Sequence, residues 1–183
     1  MGKTIKIVLS GAESSGKSTL TKQLAEYYGM PYISEIARNY VENLDRPYTY
    51  EDVENIARQQ VESEAELVAQ NPKMIFIDVD LTNTKHWFLD VYNTLPDWIE
   101  EEISTNKPDL HLLCYHDLPW EDDPVRENPN RRDYFYNLYK SEIESLGIPY
   151  GIVTGFGEER LKNAIRIVEE FLRKNRVVFS NKK

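Results

Sequence analysis

Cysteine is nearly absent from this chain. Cys114 is the only one in 183 residues, which excludes an internal disulfide framework and a cysteine-built zinc centre. Long apolar runs are missing as well. None approaches the roughly 20 residues that a membrane-spanning helix needs, and Met1-Gly2-Lys3-Thr4 leads straight into a strand-like run rather than a signal-peptide core. Positive charge is in deficit: 22 Lys and Arg against 31 Asp and Glu leave a formal charge of −9. That balance argues against a nucleic-acid partner held by phosphate neutralisation. Repeats and low-complexity tracts are lacking too. What is there, 40% hydrophobic and 29% charged residues, describes an ordinary globular protein. Its length allows one domain that buries roughly 70% of its unfolded surface. The expectation is a cytoplasmic protein with a single domain over residues 1–175 and a basic tail over 176–183. The cation-rich stretch from Arg173 on reads as frayed. Nothing in the sequence sets an oligomeric state.

Strand and helix patterns alternate along the chain. Ile5–Leu9, Met74–Ile77 and Leu110–Cys114 are continuous apolar runs of the kind found in parallel sheets covered on both faces. Tyr32-Ile33 and Gly151-Ile152-Val153 read as shorter strands. Leu20, Leu24, Tyr27 and Tyr28 recur at helical spacing up to Gly29, a natural helix stop. Thr49 with Asp52 predicts a capping box opening a long helix to Gln70. Further helices are expected through Phe135, Leu138, Tyr139, Glu142 and Leu146, and through Leu161, Ala164, Ile165, Val168, Phe171 and Leu172. The pattern predicts an open α/β architecture: a mostly parallel five-stranded sheet with helices on both faces.

Gly11-Ala12-Glu13-Ser14-Ser15-Gly16-Lys17-Ser18 fits G-x-x-x-x-G-K-[ST], between a predicted strand and a predicted helix. The glycines let backbone N–H groups converge on phosphates, Lys17 supplies a cation, and the Ser18 hydroxyl suits Mg²⁺. Asp78 ends an apolar strand, at the edge where open α/β sheets bind ligands, and could hold the same metal ion. Asp80, two residues on, either projects to the same side or caps the next helix. Glu35 and Arg38 lie three apart after the second strand, either as a surface ion pair or facing the crevice, where a carboxylate can accept a hydroxyl proton.

Leu118–Arg132 is rich in proline, acids and arginine and reads as a mobile surface loop. Such a loop could bring Arg126 and Arg132 to a transferring phosphoryl group on closure. Trp120 could stack on a flat ring or pack on its neighbours. His86, His111 and His116 have no metal-ligand spacing, and Cys114 reads as a core residue.

The segments G-A-E-S-S-G-K-S-T-L, E-I-A-R-N-Y at 35–40, F-I-D-V-D at 76–80 and L-P-W-E-D-D-P-V-R-E-N-P at 118–129 together resemble one family. This is the nicotinamide riboside kinase domain of NadR-type NAD-biosynthesis proteins, within a wider group of small AAA-like P-loop ATPases. The resemblance implies a P-loop kinase fold with a closing lid over about 118–132. It also implies transfer of the ATP γ-phosphate, with Mg²⁺, to the ribose 5′-hydroxyl of nicotinamide riboside. Carried over by position, Gly11, Glu13, Ser14, Ser15, Gly16, Lys17, Ser18 and Thr19 bind the triphosphate. Ser18 and Asp78 serve the metal, Glu35 is the base, and Arg38 and Asp80 lie on the acceptor side. Arg126 and Arg132 are the lid cations, Phe156 contacts adenine, and Trp120 covers the nicotinamide ring. The bifunctional relatives place other domains before the kinase, whereas this phosphate loop starts at residue 11, so the expectation is a stand-alone kinase. A nucleotide-gated switch, or a kinase for another nucleoside, are the alternatives.

Overall fold

The computed structural model describes residues 3–176. In chain order the elements are β1 (Ile5–Ser10), α1 (Lys17–Tyr28), β2 (Tyr32–Ile33), α2 (Ile36–Glu42), α3 (Tyr50–Ala69), β3 (Met74–Asp78), α4 (Leu81–Tyr92), α5 (Asp97–Thr105), β4 (Leu110–Cys114), α6 (Arg132–Ser145), β5 (Tyr150–Val153) and α7 (Gly157–Lys174). All strand pairs are parallel, in the order β2-β3-β1-β4-β5. The central strand explains why its sequence shows no alternation. Ile7 and Leu9 pack with Phe76, Leu112 and Cys114 on the face covered by α1 and α7. Val8, between them, turns to the other face with Ile33, Ile75 and Ile77, against Leu67 and Val68 of α3. Both faces are therefore apolar along the middle of the strand, with buried polar Lys6 and Ser10 toward its ends.

Local signals in the sequence hold. Gly29 closes α1 at φ 60°, a left-handed conformation that a Cβ disfavours. Thr49 and Asp52 form the reciprocal capping box that starts α3. The sequence shows no apolar stripe for α4 and α5 because Thr82, Thr84 and His86 take up buried places in α4, leaving Leu81, Phe88, Ile99 and Ile103 to pack against Val53 and Ala57 of α3. α7 continues through Arg173 and Lys174, cations that favour the negative end of a helix, so the stretch expected to fray from Arg173 begins as helix. The rest of that tail, from residue 177, lies outside the described residues. Among the described residues no helix is long and apolar enough to cross a membrane.

α6 is tied to α4 through a half-buried carboxylate. Glu142 lies 2.9 Å from Lys85 Nζ and 3.4 Å from His86 Nε2. The neighbouring His86 and the Lys85 ammonium, opposed by burial, hold the Glu142 carboxyl down at about 2. A carboxyl held below its unfolded value of about 4.3 stabilises the fold above that value and loses the contribution as pH falls toward the folded value. Glu142→Gln should therefore cost about 1–3 kcal/mol at neutral pH and flatten the acid side of the stability profile. Denaturant unfolding at neutral pH and at about pH 3 checks this; equal pH slopes in the two proteins would refute it.

Candidate active site

β1 delivers the chain to the carboxyl edge of the sheet, with β3 on one side and β4 on the other, the switch point where open α/β sheets form a crevice. The next residues must turn back tightly against the end of β4. At Gly11 φ is +149°, and a Cβ there would lie 2.7 Å from the Cys114 carbonyl oxygen and 2.9 Å from Ser15 Oγ. At Gly16 φ is +74°, and a Cβ would meet Leu118 Cδ1 at 2.7 Å. Gly16 begins α1 with no side-chain cap, so the first helical N–H groups stay directed at the crevice as an anion site. Lys17 Nζ lies over the loop and donates to the Ala12 carbonyl at 2.9 Å.

The loop is clamped from behind by a residue that the sequence did not single out. Arg160 of α7 is 4% exposed. Its guanidinium donates to the carbonyls of Ser15 and Tyr115, each at 2.8 Å, to Gly155 O at 3.0 Å and to Asp117 Oδ1 at 2.7 Å. One side chain thus joins the phosphate loop, the end of β4 and the turn before α7. Asp117 also accepts from the Gly155 N–H at 2.7 Å, next to exposed Phe156. Asp117 was findable as a carboxylate just past a strand end; Arg160, inside a helix, carried no local signal.

A cavity of about 750 Å³ opens above the loop, a volume suited to a cofactor and a small substrate. Gly11, Glu13, Ser14, Gly16, Lys17, Ser18 and Thr19 line one half, while Ser15 is buried below them. Glu35, Arg38 and Arg126 face the same space. Burial pushes the Glu35 carboxyl up, against the pull of Lys17 and with the push of Asp78. Asp78 is 1% exposed, and among the described residues neither carboxylate oxygen has a hydrogen-bond partner of ordinary geometry, although the Ser18 hydroxyl and the Glu35 N–H lie close by. Burial raises it too, while nearby Lys17 and Ser18 draw it down. An orphaned, buried carboxylate beside a hydroxyl suits a hard cation. Among the described residues no group of three or more His, Cys, Asp or Glu side chains gathers as a metal cluster.

The other half is aromatic and was largely unread. Tyr48, Trp87, Phe135 and Tyr139 line it, with Asn83 and Asp90. Tyr48 and Trp87 meet edge to face with centroids 5.0 Å apart. Its arginines are already matched: Arg38 with Asp123 at 2.8 Å, Arg46 with Asp52 at 2.6 Å, and Arg131 with Asp90. Arg38 does not pair with Glu35, which stands at the N-cap position of α2.

Four expectations change. Trp120 does not line the cavity; its indole N–H turns to Asp122 Oδ1 at 2.9 Å, and Trp87 supplies the aromatic wall instead. Asp80 does not share Asp78's side, because Val79 adopts φ +61° and breaks the extended chain between them. Asp80 caps α4 through the Thr82 N–H at 3.0 Å. Arg132 does not line the cavity and acts as a brace, donating to Leu118 O at 2.9 Å and Ser14 O at 3.0 Å. Nor does the 118–131 segment stand off as a surface loop, since it lies docked on the phosphate loop and α2.

Gly11→Ala tests the close approach. A side chain there must displace either the β4 carbonyl or the loop itself, so stability should fall by about 1–3 kcal/mol, the usual range for a strained backbone position. A melting curve indistinguishable from that of the unaltered protein would show that the loop relaxes freely.

Comparison with known proteins places this geometry. The chain is 25% identical over 177 residues to the trifunctional NAD biosynthesis/regulator protein NadR of Escherichia coli, covering 93% of this chain and 43% of that protein. It thus spans less than half the length of that curated relative. A crystal structure of NadR protein in complex with NAD and AMP-PNP, 20% identical, superposes with a TM-score of 0.71 over 99% of this chain and 52% of the other. A second, of NadR protein in complex with NR, is 21% identical with the same TM-score and coverage. The fold is therefore shared with those structures. A family model described as AAA domain matches residues 6–160, most of the chain, and the protein accordingly belongs to the AAA domain family.

Proposed function

We propose that this protein is an ATP-dependent kinase that phosphorylates nicotinamide riboside on its 5′-hydroxyl, giving nicotinamide mononucleotide and ADP. The observation that carries this reading is the matched charge of the aromatic half-cavity. A nucleotide acceptor brings a phosphate and needs uncompensated cations. Here Arg38, Arg46 and Arg131 are each bonded to a carboxylate. What that half offers is the rings of Tyr48, Trp87 and Tyr139 with the Glu127 carboxylate, which accepts from Tyr48, while Asp90 and the face of Phe135 already hold Arg131. Aromatic faces and carboxylates favour a flat cationic ring, and the pyridinium of nicotinamide riboside is one. The kinship with NadR, whose solved relatives include complexes with NR and with AMP-PNP, supports the same choice. A nucleotide-gated switch requires no aromatic second half-cavity.

Each residue then has a task. The N–H groups at the start of α1 and the Lys17 ammonium hold the triphosphate. Ser18 and the buried Asp78 would hold Mg²⁺, which when bound neutralises charge on the β- and γ-phosphates. Glu35 accepts the 5′-hydroxyl proton as the oxygen forms its bond to the γ-phosphorus; the bond to the bridging oxygen breaks, and ADP leaves. Arg126, on the docked loop, balances charge that develops on the transferred group. Phe156, exposed beside the Gly155 turn and not on the cavity wall, would meet the adenine only from the rim.

An ADP-release assay over a panel of ribosides and nucleoside monophosphates tests the reading. Nicotinamide riboside should give the highest kcat/KM, and a chelator should stop turnover. Lys17→Ala should abolish activity while leaving the melting temperature near that of the unaltered protein. Glu35→Gln should cut kcat by about 10²–10⁴-fold with little change in ATP affinity. A base works ionised, and burial has raised Glu35, so the rate should fall as pH drops through a value above the ordinary glutamate range. That acid limb should vanish in Glu35→Gln. Faster turnover of a monophosphate acceptor, or full activity in a folded Lys17→Ala variant, would overturn the reading.

A further inference from the structure

A carboxylate in a loop built to bind phosphate is unfavourable, because it repels the anion the loop exists to hold. Position 13 is one of the variable places of the pattern, so phosphate binding does not call for a glutamate there. Yet Glu13 faces the cavity, and its carboxylate is engaged by the loop that covers it. Oε1 accepts from the Glu127 N–H at 3.2 Å, and Oε2 accepts from the Asn128 N–H at 2.8 Å. Those two amides lie between Arg126 and Arg131, both of which line the cavity.

Neighbouring contacts run the same way. The Glu121 N–H donates to Ser14 Oγ at 3.3 Å, and Arg132 donates to Ser14 O at 3.0 Å. On the acceptor side, Arg38 holds Asp123 at 2.8 Å, and Tyr48 donates to Glu127 Oε2 at 3.1 Å.

We propose that Glu13 is a positioning residue, the latch by which the phosphate loop holds the 118–131 lid closed and sets Arg126 and Arg131 over the cavity. Two N–H donors compensate its charge only when the lid is down. A triphosphate brought beside Glu13 raises the cost of leaving that charge bare, so nucleotide binding and lid closure reinforce one another. The kinetic consequence rests on the kinase reading above; the contact itself does not.

Hydrogen exchange on the full chain, with and without AMP-PNP, separates the two. In Glu13→Ala the Glu127 and Asn128 amides should exchange at least about tenfold faster, while those of β1 and α1 keep their protection. Glu13→Gln, which keeps one acceptor oxygen, should fall between. In turnover, KM for the riboside should rise about tenfold in Glu13→Ala, while KM for ATP changes less than about threefold, since the Lys17 and backbone contacts remain. Unchanged exchange at residues 127 and 128, or a rise spread equally over β1, would overturn the latch. Glu13-dependent exchange in a protein that turns over no riboside would uphold the latch and remove the kinase reading.

Discussion

The site depends on one close approach. The chain leaving β1 must pass the end of β4 with less room than any side chain occupies, which is why Gly11 stands 2.7 Å, measured from a Cβ it does not have, from the Cys114 carbonyl. That contact puts the phosphate loop inside the crevice rather than on its rim, and Arg160 pins it there by bonding Ser15 and Tyr115 together. α1 then starts where its N-terminal N–H groups face the cavity, and the rest of the site is arranged around that fixed anion-binding end.

Charge is distributed against the composition of the chain. The protein carries a formal charge of −9, yet Lys17, Arg38, Arg46, Arg126, Arg131 and Arg160 all face one cavity. These cations are not equivalent. Arg160 spends its donors on main-chain carbonyls and Asp117, and the arginines of the aromatic half are neutralised by carboxylates. Lys17, bonded among the described residues only to the Ala12 carbonyl, stands where phosphate would replace that weak partner. The field is thus positive at the phosphate loop and balanced at the acceptor wall, a division that favours one highly charged ligand and one that carries no phosphate.

Much of this was legible from residues alone. Strands buried on both faces appear as unbroken apolar runs, and the phosphate loop, Gly29 and the Thr49–Asp52 box are local signals with local causes. What stayed hidden depends on tertiary contact. α4 fills several of its buried places with Thr82, Thr84 and His86 and so shows no apolar stripe, which hid Trp87, the aromatic wall, while Trp120 stood out in a polar loop. Between the two readings open for Asp80 the structure selects the helix cap, because Val79 is left-handed, a conformation that cannot be read from the letters Asp-Val-Asp. The lid looked unpackable because its bonds run through main-chain amides and paired charges rather than apolar side chains.

The central claim is that the acceptor half-cavity selects a flat cationic ring without a phosphate, and calorimetric binding to the nucleotide-loaded protein tests it most directly. Nicotinamide riboside should bind about tenfold tighter than its reduced, neutral-ring form, the margin expected when a cation meets desolvated aromatic faces. It should also bind tighter than the corresponding 5′-monophosphate. Equal affinity for the neutral ring, or a preference for the phosphorylated ligand, would contradict the account.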